Sequence, residues 1–167
     1  MHVVGPDSGT LTVKTRRTGA IAKVGHDLVI EVESWRGTFD PGGEPAIELT
    51  ADSRSLRVRS GSGGVSPLGD SEKAGIAQTI DEEVLKGGTI AFRSTRVAQG
   101  AGGTLEVEGE LDLLGTVRPI AFTLERDGDR VTGSTVLTQS DWGIKPYTAL
   151  FGTLKVADVV EVRARRT

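Results

Sequence analysis

The chain has 167 residues, no cysteine, and 20 basic against 23 acidic side chains, for a net charge of −3 with histidine neutral. That length suits one domain over residues 1–167 with a core of its own. The lack of cysteine excludes a disulfide scaffold and any thiolate metal or redox site. The mixed, slightly acidic charge disfavours nonspecific nucleic-acid binding, and no apolar run approaches the ~20 residues that span a bilayer.

The first residues, Met1 to Gly9, carry neither the basic flank nor the apolar stretch of about 7–15 residues of a signal peptide, so a cytoplasmic protein is expected. Most of the remaining chain alternates with period two, the signature of strands, whose successive side chains face opposite ways. Leu11, Val13 and Thr15 form the first such run. Leu28, Ile30 and Val32 form the second, and Ile47, Leu49 and Ala51 the third. Ile90 and Phe92 begin a fourth, while Leu105 to Leu113 alternates with Glu106, Glu108, Glu110 and Asp112. Ile120, Phe122 and Leu124, then Val131 to Thr138, then Val160, Val162 and Ala164 complete the set. Eight strands are predicted. Leu114-Gly115-Thr116 and Arg126-Asp127-Gly128-Asp129 read as hairpin turns. A meander with one apolar and one charged face suggests an up-and-down barrel or a sandwich.

One segment breaks this pattern. Between the third and fourth strands, Ile76, Ala77, Ile80 and Val84 fall on one helical stripe. The spacing predicts an amphipathic helix over Ser71–Lys86, capped by Asp70 or Ser71 and stopped by Gly87-Gly88. Residues 54–69 before it read as a loop rich in glycine and serine, with Arg54, Arg57 and Arg59 at its start. After the seventh strand, residues 140–154 hold Trp142, Tyr147 and Phe151, three of the seven aromatic residues.

Few residues suggest chemistry. Neighbours on a strand point to opposite faces, so Asp27 is poorly placed to orient His26 as a base, and no GxSxG elbow accompanies them. Two histidines, one of them at the second position, give no metal-ligand spacing, and no metal or cofactor is expected. Gly61-Ser62-Gly63-Gly64 lacks the following Gly-Lys-Ser/Thr of a phosphate loop. The three arginines read as a solvated strand face, with an anionic headgroup as the alternative.

Several segments resemble the YceI-like family, also called polyisoprenoid-binding proteins. They are Asp7-Ser8-Gly9-Thr10-Leu11-Thr12-Val13, Gly25-His26-Asp27-Leu28 and Ile90-Ala91-Phe92-Arg93-Ser94-Thr95. The most specific is the Gly-x-Leu-x-x-x-Gly-x-x-x-Pro hairpin from Gly109 to Pro119. The resemblance implies an all-β fold with one inserted helix: an eight-stranded, antiparallel, lipocalin-like barrel. It also implies a non-enzymatic role, with an apolar isoprenoid-like lipid of the polyprenyl or quinone type inside the barrel. The lining would be Leu28, Ile30, Val32, Leu49, Phe92, Leu111 and Phe122. Trp142, Tyr147 and Phe151 would close one end, and the helix would act as lid or flank. Small inward residues, Gly109, Ala51 and Ala164, would leave room. The competing expectations are a filled barrel serving as a structural or interaction module, and a hydrolase using His26. The helix's apolar face would also suit a homodimer.

Overall fold

The computed structural model describes residues 1–19, 25–64, 67–149 and 154–167. It is mostly β with one helix. The strands are β1 (His2–Val4), β2 (Gly9–Thr15), β3 (Arg17–Thr18), β4 (Asp27–Val32), β5 (Trp35–Phe39), β6 (Ile47–Ala51) and β7 (Leu56–Ser62). After the helix come β8 (Ile90–Gln99), β9 (Leu105–Leu113), β10 (Thr116–Asp127), β11 (Arg130–Thr138), β12 (Thr148–Ala149), β13 (Leu154–Val156) and β14 (Val159–Arg166). Eleven of them form one curled antiparallel sheet, a half-barrel, in the order β1-β5-β6-β8-β9-β10-β11-β14-β2-β4-β7. β12, β13 and β3 make a small second sheet.

The sheet therefore has eleven strands, not eight. The eight alternating runs correspond to β2, β4, β6, β8, β9, β10, β11 and β14, and the count rises by β1, β5 and β7. Two of the three arise where the chain turns a corner and pairing resumes beyond it. Strand β4 gives way to β5 across Glu33-Ser34, and β6 gives way to β7 across residues 52–55. Backbone bonds carry the ladder through this corner: Glu33 N–H donates to Ser55 O at 2.9 Å, and Asp52 N–H to Ser34 O at 2.9 Å. The Ser55 hydroxyl fastens it, accepting from Ser34 N–H at 3.0 Å and donating to Asp52 O at 2.7 Å. Residues 56–62, whose glycine and serine content suggests a loop, are a strand because Leu56 and Val58 bury one face while Arg57 and Arg59 point outward.

The hairpin turns follow from glycine. Leu114 (φ 56°) and Gly115 (φ 91°) both take the left-handed conformation that a tight two-residue turn requires, and the Asp112 carboxylate accepts from Gly115 N–H at 2.9 Å. On β9 the alternation is strict: Val107, Gly109 and Leu111 are buried, while Glu106, Glu108 and Glu110 are exposed.

Helix α1 (Asp70–Thr79) continues as a π-helical turn, Ile80–Leu85, and ends on Lys86 (φ 53°) and Gly87 (φ 70°). Its start differs from expectation. Gly69, not Asp70 or Ser71, is the capping residue, and no side chain caps it; Asp70 and Glu72 act through the favourable end of the helix dipole instead. The helix packs on β7. Ala77 is buried, Ile76, Ile80 and Leu85 pack on the cluster built by Leu11, Leu28, Ile30, Val32, Trp35, Leu56 and Val58, and Val84 packs on a second cluster. That second cluster comprises Phe92, Val107, Leu111, Leu137, Trp142, Ile144 and Val160. Among the described residues no helix is long and apolar enough to cross a membrane.

Candidate functional site

Inward-facing side chains of the curled sheet do not meet in the middle. They surround a cavity of about 820 Å³, within the ~300–1,000 Å³ of small-molecule sites. Its wall is aliphatic and aromatic: Leu11 and Val13 from β2, Leu28, Ile30 and Val32 from β4, Leu49 from β6, Phe92 from β8, Leu111 from β9 and Phe122 from β10. Ile76, Ile80, Val84 and Leu85 face it from the helix. Phe92 and Phe122 lean on each other, with ring centroids 5.4 Å apart and planes at 56°. Tilted rings at this spacing are favourable beyond the area they bury.

The seven predicted wall residues, Leu28, Ile30, Val32, Leu49, Phe92, Leu111 and Phe122, thus all face the cavity. The three aromatics divide. Tyr147 faces the cavity with nearly half its surface exposed. Trp142 does not face it: the indole is buried in the second cluster and donates Nε1–H to Leu111 O at 2.9 Å. Trp142 therefore fastens residues 139–142 to β9, because a buried indole N–H needs an acceptor and a strand carbonyl supplies it. Phe151 lies outside the described residues.

Gly109 does not leave room. A Cβ there would collide with Arg93 O and sit 2.5 Å from Phe92 Cζ, so the Phe92 ring already occupies the gap. Gly133 is taken up likewise, by Leu124. Ala51 and Ala164, the other two small inward residues, do line the cavity.

One end of the cavity is polar. Thr15, Arg17, His26, Glu72 and Lys155 face it there. The Arg17 guanidinium donates through one nitrogen to Gly25 O and Ser62 O, each at 2.9 Å, and Arg17 N–H donates to Asp27 Oδ1 at 2.9 Å. These contacts explain the glycine run. A side chain at Gly63 (φ 81°) would collide with the Arg17 guanidinium, and a Cβ at Gly64 (φ 75°) would lie 2.7 Å from His26 Nε2. Gly61 accommodates Leu68, 2.8 Å from where a Cβ would stand. The run is a bed for Arg17, His26 and Leu68, and the Ser62 carbonyl is turned to a cation. The Asp27 carboxylate accepts from the Arg17 backbone through Oδ1.

Arg59 and Arg57 are also engaged. Arg59 bridges Glu31 at 2.5 Å and Glu33 at 2.6 Å on the outer face. Its pKa is raised by the hydrogen bonds to Glu31 and Glu33. Arg57 donates to Arg54 O at 3.1 Å and Leu56 O at 2.8 Å, and the Arg54 guanidinium lies against Gly87. Leu11, Val13 and the helical residues were open to sequence reading as part of the lining, since they share the alternation and the stripe.

Residues 10–167 match the family model described as the YceI-like domain. Among solved structures, the crystal structure of Burkholderia cenocepacia BcnA is similar, with a TM-score of 0.57 and 17% sequence identity over 93% of this chain and 94% of that one, a likeness of fold. No curated protein matches the sequence. The match spans all but the first nine residues of the chain, from β2 to the last strand, and on it the chain belongs to the YceI-like family.

Proposed function

We propose that this chain is a non-enzymatic carrier or sequestering protein, a single domain over residues 1–167, that holds an apolar isoprenoid-like lipid of the polyprenyl or quinone type. The observation that carries this reading is the cavity of about 820 Å³, walled almost wholly by aliphatic and aromatic side chains. Family membership supports it. In this reading the backbone bonds across the Glu33–Asp52 corner close the curled sheet into a tube, and a barrel of this class is wide enough for one small ligand. Leu28, Ile30, Val32, Leu49, Phe92, Leu111 and Phe122 contact the lipid, Tyr147 and the helix cover it, and Trp142 supports the wall from behind.

Each buried CH₂ contributes about 0.8 kcal/mol, so ten of them supply about 8 kcal/mol before the entropy of binding is subtracted. Such binding needs no polar motif. The filled-barrel alternative requires side chains where the cavity lies. Native mass spectrometry of protein purified from its own host, followed by lipid extraction, tests the proposal. A co-purifying prenyl lipid that leaves on denaturation is the expected result. A clean apo mass with nothing extractable would overturn it.

A further inference from the structure

One hairpin of the large sheet is zipped over only part of its length. β10 runs from Thr116 to Asp127, and β9 pairs with it from Thr116 to Leu124. Its other neighbour, β11, pairs only with Leu124 to Asp127, through Gly133, Thr132, Val131 and Arg130. Beyond Gly133, β11 stays paired to β14 as far as Thr138 but no longer to β10. The two strands thus leave their turn together and part at Leu124 and Gly133. A seam lies between Val117–Thr123 on one margin and Ser134–Thr138 on the other.

The cavity reaches this seam. In the other strands of the large sheet the residues facing the cavity are never neighbours in sequence, because one face of each strand looks inward. On β11 three in succession border it, Gly133, Ser134 and Thr135, and Ser134 is exposed to solvent. A cavity that touches both faces of a strand passes around its edge. The margins of the seam are apolar. Val136 on β11 is 63% exposed and Val117 on β10 is 54% exposed. Pro119, in the unzipped stretch of β10, has no N–H to offer a neighbouring strand. Unpaired backbone groups at an exposed margin are satisfied by water, so a standing gap is tolerated there.

On the carrier reading, we infer that the seam between β10 and β11 is the lateral portal through which the lipid enters and leaves the cavity. Passage through a paired part of the wall would break ladder hydrogen bonds, each of which would then go unsatisfied against an apolar tail. The polar end confronts the tail with Arg17, Glu72 and Lys155. At the seam the ladder is already open, and its margins carry valines.

The chain has no cysteine, so introduced ones are unique. Ala121 and Val136 are exposed on opposite margins of the seam, and the Leu124–Gly133 register, carried three residues further, would pair them. The double variant Ala121→Cys/Val136→Cys is bridged with a short bismaleimide and compared with the same variant capped by N-ethylmaleimide. The polar end is obstructed separately by a polyethylene glycol maleimide on Lys155→Cys. Association and release of a fluorescent fatty-acyl probe are followed by stopped flow, and its Kd is measured at equilibrium. The bridge should slow both rates by about tenfold and leave Kd within about twofold, because an obstacle on the path raises the barrier and not the bound state. The label at residue 155 should slow exchange much less than the bridge does. Exchange as fast in the bridged protein as in the capped one overturns the portal, and so does a larger slowing by the label at residue 155. In either case the bound probe leaves the carrier reading standing. Failure of wild type to bind the probe removes the carrier reading and the portal together.

Discussion

In the part of the cavity wall made by β9, β10 and β11, side chains lock into gaps. Phe92 sits over Gly109, Leu124 over Gly133, and the Trp142 indole is pinned to Leu111 O. Beside β2, β4 and β7 the wall is a plain row of branched aliphatics, and the space in front of it is spanned by a helix whose Ile76 and Ile80 are only partly buried. Both regions are equally apolar in sequence. They differ in how the wall is fastened, since both line the cavity. A residue packed all round loses every contact when truncated, whereas one beside a void had already forgone part of them. Both walls face the cavity, and the first carries a fastener that the second lacks, the Trp142 indole, which is packed all round because it stands behind the wall.

The largest break in this contrast comes from Trp142→Ala. It removes a buried ring and leaves Leu111 O without its indole donor, and should cost about 3–5 kcal/mol in urea unfolding. Gly109→Ala should follow. Glycine to alanine in a strand normally stabilises by up to about 1 kcal/mol, but here the new methyl meets the Arg93 backbone carbonyl, which cannot swing aside. A loss of about 1–3 kcal/mol is expected, from denaturation midpoints. Leu28→Ala on the opposite wall sharpens the comparison. It should fall at the low end for leucine truncation, about 2 kcal/mol, because part of its surroundings is already empty. A value near that of Trp142→Ala would show that the two walls are packed alike.

Much of the architecture is written plainly in the chain. Eight alternating runs and one helical stripe appear where strands and a helix lie, because each buries a single face and periodicity reports that directly. What escapes the sequence has physical causes. Trp35 to Phe39 carries a glycine at its centre, which interrupts the alternation of β5. Leu56 and Val58 alternate well, but the glycines after them suggest a loop, and their purpose, a bed for Arg17 and His26, depends on chain segments far away in sequence. Gly109 promises empty space, since composition counts missing side chains and cannot see a neighbour's ring filling the gap. Trp142 and Tyr147 are indistinguishable as aromatics near one end. A carbonyl on β9 separates them, turning one into a fastener and leaving the other at the cavity.

The smallest expected effect concerns the outer face of the aliphatic wall. Arg59 on β7 reaches Glu31 and Glu33 on and beyond β4, so the contact ties the two strands together on their outer face. The Arg59 side chain is about half exposed, at 47%, and water screens the pair. Arg59→Met keeps the stem and should cost under about 1 kcal/mol at low salt, less than any interior change above. The hydrogen bonds to Glu31 and Glu33 raise the Arg59 pKa, so its stabilisation is complete below the ordinary arginine range and lost only as pH rises through the still higher folded value. Across neutral pH the contribution is flat on that account, and salt is the variable that exposes it. The difference between wild type and Arg59→Met in urea should shrink toward zero in about 1 M NaCl, where the screening length is about 3 Å. A difference that survives about 1 M salt would mean that the guanidinium supports the wall by packing and not by charge.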